Sequence, residues 1–431
     1  MANFSDPAVS GDSAGAFDGA NAVERVMAGL LEDAHLMPLE ALADTFGERA
    51  RPLGVLQLDV YLADLQQRHL RRLPSKRRDG PDEPPATLPI DTTLAGRAFQ
   101  SITVHKVQDD EGLYRLWVPV LDGTERLGVL ELIVTDVGEA TLRRCRMLAS
   151  LAALVIVSKS AYSDVYSQVQ RTRLLAMQAE MEWAFMAPPT FATERVLVAA
   201  ALEPAYEAGG DAYDYSLLGD RLSVAVIDAA GHDLTAGLIA SVAMAGCRNT
   251  RRSGGDLLDL VDCVDHAIAG QFDESRFATA LICELDIATG LLTWVVCGHP
   301  PPLLIRENQV VKELVREPHL PLGIRCGDVP PVVHSEQLQP GDRLLLYTDG
   351  VVEGRGADGR QFGLKRLSDF VIRNSARGMS APETVRRLTH AVVDYQQGRL
   401  SDDSTILLLE WMSGDAGRQL TLRGDEALGS P

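Results

Sequence analysis

Along this chain the apolar positions switch repeatedly between helical and strand spacing, and the switches mark out its elements. Residues 22–46 repeat at helical intervals. VLQLDVYLADLQQRHLRRL (55–73) reads as two β-type segments around a polar turn, and SKRRDGPDEPPATLP (75–89) as a charged, Pro-rich loop. TTLAGRAFQS (92–101) is helical in pattern, RLWVPVLDGTERLGVLELIV (115–134) is strand, turn and strand, and residues 140–159 form a closing helix. Residues 158–187 hold neither Gly nor Pro and predict one long helix, ended by Pro188–Pro189. Its apolar positions Tyr162, Val165, Val169, Thr172, Ala176, Ala179, Trp183 and Met186 follow a heptad seam, weakened by Thr172 and the alanines.

From Val196 onward the pattern alternates. VLVAAALEP and RLSVAVIDA (221–229) read as strands, followed by two helical stretches, TAGLIASVAMAGCRNT and DLLDLVDCVDHAIAGQF. ATALICELDIATGLLTWVVCGH (278–299) is a hairpin, and PPLLIR, DRLLLYTD and STILLLEW supply further strands. Strands on both sides of a helical pair predict an antiparallel sheet sandwich flanked by helices, so the fold class is α+β. The small, polar leader (1–21) and the tail (413–431) are expected to be unstructured.

Composition narrows the function. The chain has 431 residues, enough for two or three domains, and its apolar fraction of 46% can fill their cores. Lys plus Arg number 41 against 60 Asp plus Glu, a net charge of −19, which argues against a nucleic-acid or anionic-membrane binder. Six scattered cysteines without a CxxC pair read as buried thiols in a reducing cytoplasm. The N-terminus lacks the basic and apolar regions of a signal peptide, and residues 147–157 are too few to span a bilayer.

The chemistry centres on four aspartates at strand ends: Asp211 in GGDAYDY, Asp228 in VAVIDAAGH, Asp349 in LLLYTDGVVE and Asp402 in LSDDSTILLLE. They are far apart in sequence, so only a folded sheet could gather them. Converging carboxylates repel one another and raise each other's pKa unless a cation lies between them. Oxygen ligands without Cys–His pairs point to Mg²⁺ or Mn²⁺, and a carboxylate-bound pair of such ions suits phosphate-ester hydrolysis. Singly, each aspartate is more simply a turn residue, Asp349–Gly350 above all. Asp214 reads as a brace. His299 in GHPPP is a general-acid candidate that reads more simply as a hydrogen-bonded turn histidine, and His232 lies four residues after Asp228.

Two resemblances organise these readings. LQLDVYLADLQQRHL, TTLAGRAFQSITVH and LWVPVLDGTERLGVLELIV make residues 22–157 similar to a GAF domain, which implies an α/β sensor unit that binds an unknown small ligand or serves dimerisation. EMEWAFMAPP, EAGGDAYDY, IDAAGHD, FATALICELDIATGLLTWVVCGHPPPLL, LQPGDRLLLYTDGVVE and DDSTILLL occur in the order found in the SpoIIE/RsbU branch of the metal-dependent PPM phosphatases, which residues 188–412 resemble. GGDAYDY also looks like the GGDEF signature of nucleotide cyclases, but Ala212–Tyr213 do not continue it. The PPM resemblance implies a two-ion Mn²⁺/Mg²⁺ site. In it Asp228 bridges both metals, Asp211 and the Ala229 carbonyl support one, and Asp349 and Asp402 hold the second. Asp403 and Thr405 are expected to orient these ligands, and Gly209, Gly210 and Gly350 to form the tight turns that aim them. Asp233 stands where relatives have glycine and is expected to shift the loop's φ preference.

The implied activity is dephosphorylation of a phosphoserine or phosphothreonine protein by a metal-activated water. The implied substrate is a STAS-type anti-sigma-factor antagonist. A silent partner-binding module and a phosphatase of small metabolites are the alternatives. A cytoplasmic homodimer is expected, in which the N-terminal domain regulates the site by moving the 158–187 helix against the helices near 235–250 and 256–271.

Overall fold

A computed structural model describes residues 13–75, 86–207, 209–273, 275–324 and 330–412. The chain divides into two compact units, Met1–Asp122 with Arg126–Thr172, and Gly123–Glu125 with Arg173–Pro431.

The N-terminal unit contains α1 (Ser13–Leu36), α2 (Leu42–Arg49), β1 (Val55–Ala63), β2 (His69–Arg72), β3 (Thr87–Pro89), α3 (Leu94–Ser101), β4 (His105–Gln108), β5 (Tyr114–Asp122), β6 (Glu125–Val134), α4 (Glu139–Ser160) and α5 (Asp164–Gln170). Its sheet has the order β3-β2-β1-β6-β5-β4. The period of two in β1 sends Leu58, Val60 and Leu62 into a large core with Phe46, Leu148 and Ile156, and Tyr61 and Ala63 into a smaller one with Phe99 and Trp117. Val55 joins the first group out of step because the register slips between Val55 and Gln57. Helix α1 begins at Ser13, inside the leader expected to be unstructured. Most of the 75–89 loop and the tail lie outside the described residues.

The single helix over 158–187 is not formed. Helix α4 stops at Ser160, α5 covers Asp164–Gln170, and α6 (Met177–Phe185) starts after an extended stretch. The break has identifiable causes. Arg71 donates to the carbonyls of Gln168, Val169 and Arg171, and Leu65 N–H donates to Gln170 O at 3.0 Å, so the carbonyls that would continue α5 are already taken. Ala176 N–H donates instead to Tyr206 O at 2.8 Å. Val169 belongs to the N-terminal core, and buried Ala179 lies in the other unit. The continuous heptad seam, and with it the basis for a coiled-coil dimer, is therefore absent.

The C-terminal unit continues from α6 with β7 (Thr190–Ala192), β8 (Val196–Glu203), β9 (Asp211–Leu218), β10 (Arg221–Ala229), α7 (Leu234–Arg252), α8 (Leu257–Gln271), β11 (Ala278–Asp286), β12 (Leu291–Cys297), β13 (Leu303–Arg306), β14 (Gln309–Glu313), β15 (His334–Gln337), β16 (Arg343–Tyr347), α9 (Asp349–Glu353), α10 (Gly363–Ala376), α11 (Ala381–Tyr395) and β17 (Ser404–Trp411). Two antiparallel sheets, β15-β12-β11-β10-β9 and β14-β13-β16-β17-β8-β7, face each other. Between them pack Val198, Val226, Leu281, Trp294, Leu344 and Leu407. The other face of the first sheet packs on α7 and α8, and that of the second on α10 and α11. This is the α-β-β-α sandwich expected from the alternation. Among the described residues five cysteines are free thiols, and no helix is long and apolar enough to cross a membrane.

Leu407 is fully buried between the sheets. Leu407→Ala is expected to cost about 2–5 kcal/mol of stability, measured as a lower denaturant midpoint with an unchanged slope.

Candidate active site

The period of two places the carboxylates. Leu222, Val224 and Val226 of β10 point between the sheets, so Asp228, two residues on, lies on the same face where the strand ends. By the same parity Asp211 precedes inward-facing Tyr213, Asp403 and Thr405 precede Leu407, and Thr348 follows Leu344 and Leu346. The seam between the sheets is apolar along its length and acidic at this end.

Register and hydrogen bonds bring the residues together. Asp211 pairs directly with Asp228 across β9 and β10. Thr348 Oγ1 donates to Asp211 Oδ2 at 2.7 Å and accepts from Thr405 N–H at 2.9 Å, while Thr348 N–H donates to Thr405 O at 3.1 Å. Asp403 Oδ2 accepts from the N–H groups of Gly209 at 2.8 Å and Asp211 at 3.4 Å. The bonds to Asp211 and Gly209 run from one sheet to the other and fix where the aspartates stand.

The glycines work by close approach. A Cβ on Gly210 would lie 2.7 Å from Ala229 O, and one on Gly350 would lie 1.9 Å from Asp403 O. Neither glycine has a positive φ; what each position requires is the absence of a side chain at a close backbone contact. Asp233 likewise causes no φ conflict. At φ −97° it caps α7, accepting from Ala236 N–H at 2.9 Å.

Burial and mutual repulsion dominate the electrostatics. Burial first, then the charges of Asp349, Asp402 and Asp403, lift Asp228 to about 7. Asp211 is raised well above the carboxylate range by burial and by Asp228 and Asp403. Asp349 is raised by burial, Asp402 and Glu353, and Asp403 mainly by burial, opposed by its N–H donors. The four sequence-predicted aspartates therefore belong to one electrostatic group. The oxygen donors here are carboxylates, hydroxyls and the Ala229 carbonyl, a set that fits a hard divalent cation. Among the described residues no three Asp, Glu, His or Cys groups close into a ligand cage.

The remaining candidates take different roles. His299 is buried, its Nδ1 is 2.8 Å from Thr279 Oγ1, and Thr279 Oγ1 lies 3.5 Å from Asp228 Oδ2. Burial lowers His299 to about 3, so it is neutral at pH 7 and not poised as a general acid. Asp214 is locked by Arg248 at 2.7 Å and Arg251 at 3.0 Å, which ties β9 to α7. His232 is exposed. Sequence reasoning missed Glu182 on α6. Its carboxylate is wholly buried with no hydrogen-bond partner among the described residues, faces the charge of Asp403, and lies near Gly237 in the first turn of α7. The signal was present in EMEWAFMAPP as an acid among apolar helix positions.

Residues 219–412 match the family model described as Stage II sporulation protein E (SpoIIE). The chain is 22% identical over 258 residues to phosphoserine phosphatase RsbU of Bacillus subtilis (strain 168), covering 58% of this chain and 75% of that protein. It is 24% identical over 202 residues to stage II sporulation protein E of the same organism, covering 46% of this chain and only 24% of that relative. Among solved structures, the SiaA-PP2C domain of Pseudomonas aeruginosa aligns with a TM-score of 0.46 at 20% identity, covering 55% of this chain and 94% of that one.

Burial, with a contribution from Asp403, raises Glu182 from 4.5 to about 9. The folded chain therefore keeps a proton that the unfolded chain releases, and stability declines as pH rises from about 4.5 toward 9. Glu182→Gln removes that dependence, so its gain in Tm over the parent is expected to be larger at pH 9 than at pH 5 in thermal melts.

Proposed function

We propose, for a chain whose residues 219–412 match the SpoIIE family model, that the protein is a Mn²⁺- or Mg²⁺-dependent phosphatase of phosphoserine or phosphothreonine proteins. One observation carries this reading. Asp211 and Asp228, paired across β9 and β10, share one electrostatic group with Asp349, Asp402 and Asp403. In it Asp211 and Asp403 are buried, Asp228 and Asp349 half-buried and Asp402 exposed. Asp211, Asp228, Asp349, Asp402 and the Ala229 carbonyl would hold two cations. Bound there, such ions lower the pKa of a shared water and offset charge on the phosphoryl group.

The chain's own residues set the conditions for that chemistry. Thr348 and Asp403 hold Asp211 in place through the bonds between sheets. Thr279 touches Asp228, and neutral His299 holds the Thr279 hydroxyl. No nucleophilic side chain is required. Cys297 and Cys247 are buried and pushed up to about 12, which keeps them as unreactive thiols.

The similarity to a protein named phosphoserine phosphatase RsbU supports a phosphoprotein substrate, and we assign a STAS-type antagonist as its class. The N-terminal unit, with its helix-flanked antiparallel sheet, is read as a GAF-like sensor. Its signal would pass through α6, which packs on α7 next to the aspartates, in place of one rigid linking helix.

The test is phosphate release from a phosphoserine peptide and a phosphorylated STAS-type protein. Release is expected with Mn²⁺, abolished by EDTA, and lowered at least a hundredfold by Asp228→Ala. Release that survives both EDTA and the substitution would refute a metal-dependent mechanism.

A further inference from the structure

Beside the aspartates lies a cavity of about 290 Å³ lined by groups of both charges. Asp349, Glu353 and Asp402 line it together with Arg355, Arg399 and Gln396. Arg399 is placed by a specific turn. Helix α11 ends at Tyr395, and Gln397 and Gly398, both at positive φ, reverse the chain so that Gly398 N–H returns to Val393 O at 2.9 Å. Arg399 follows at once. Its backbone N–H donates to Gln396 O at 3.1 Å, while its exposed side chain makes no hydrogen bond or ion pair among the described residues. Arg355 is anchored by a single bond from Nη1 to Gly359 O at 2.9 Å, which leaves its other donors unassigned.

Gln396 ties this turn to residue 401. It is 5% exposed, its Oε1 accepts from Ser401 N–H at 3.3 Å, and it fits only because residue 354 is glycine, where a Cβ would lie 2.1 Å from Nε2. Two guanidinium groups with unassigned donors lining one cavity are an unmet demand for an anionic acceptor.

The geometry points to Arg399 and Arg355 as the residues that grip the phosphoryl group of the phosphorylated side chain. A phosphomonoester carries two negative charges and three terminal oxygens. The carboxylates repel these unless cations intervene, whereas guanidinium groups offer paired N–H donors that match them. This inference rests on the phosphatase reading and names what orients its substrate.

The experiment uses the full chain as wild type, Arg399→Ala, Arg399→Lys and Arg355→Ala. KM and kcat are measured for a phosphoserine peptide and for p-nitrophenyl phosphate. Binding of inorganic phosphate is followed separately by ³¹P NMR in the presence of Mg²⁺. Arg399→Ala is expected to raise KM for both substrates and weaken phosphate binding by roughly tenfold or more, with kcat changed less and Tm unchanged. Arg399→Lys should recover part of the loss. Unchanged phosphate binding and unchanged KM for p-nitrophenyl phosphate would overturn the proposal, including the case where only the peptide's KM rises and the arginines read a flanking acidic residue. If the wild type releases no phosphate yet binds it, and Arg399→Ala weakens that binding, the phosphatase reading fails while the anion site stands.

Discussion

The hydroxyl of Thr348 on Asp211, together with Asp403 on the amides of Gly209 and Asp211, is the join on which the site depends. Thr348 and Asp403 flank strands of one sheet, and Asp211 begins a strand of the other. Without these bonds the two sheets would still share an apolar core, but nothing would fix the register of their acidic ends. The glycines at 210 and 350 belong to the same constraint, because any side chain there would push the joined backbones apart.

Holding carboxylates this way is costly. Burial and repulsion drive Asp211, Asp228, Asp349 and Asp403 upward together, the opposite of what an ion pair or a solvated surface would do. Tightly packed apolar layers between and outside the sheets can carry that cost. An arrangement that is unfavourable by itself becomes favourable when positive charge enters, which is how a binding site for cations differs from a structural network. Glu182 extends the strain to α6, so the helix that leads into the unit is coupled to the acids at the seam.

Much of this was legible in the sequence, for a physical reason. Strand alternation is local, so the sandwich and the strand-end positions of Asp211, Asp228 and Asp349 could be read directly. What escaped depended on contacts across long sequence distances. The interruption after α5 follows from Arg71 and Leu65, about a hundred residues upstream, which no periodicity over 158–187 could signal. The close contacts at the glycines went unseen because a missing Cβ looks the same in sequence whether a turn or a neighbouring strand requires it. Asp233 was weighed as a departure at a glycine position, whereas an N-cap before Leu234 was the simpler reading. Arg399 stood unnoticed because an arginine after a helix is ordinary until the cavity beside it is seen.

The central claim is that the seam-end aspartates form a cation site, and Mn²⁺ titration calorimetry on the full chain tests it most directly. The account predicts saturable binding of two ions by the wild type, with binding lost or greatly weakened in Asp228→Asn while the melting curve of the cation-free chain is not lowered. A wild type that takes up no Mn²⁺, or an Asp228→Asn variant that binds as the wild type does, would contradict it.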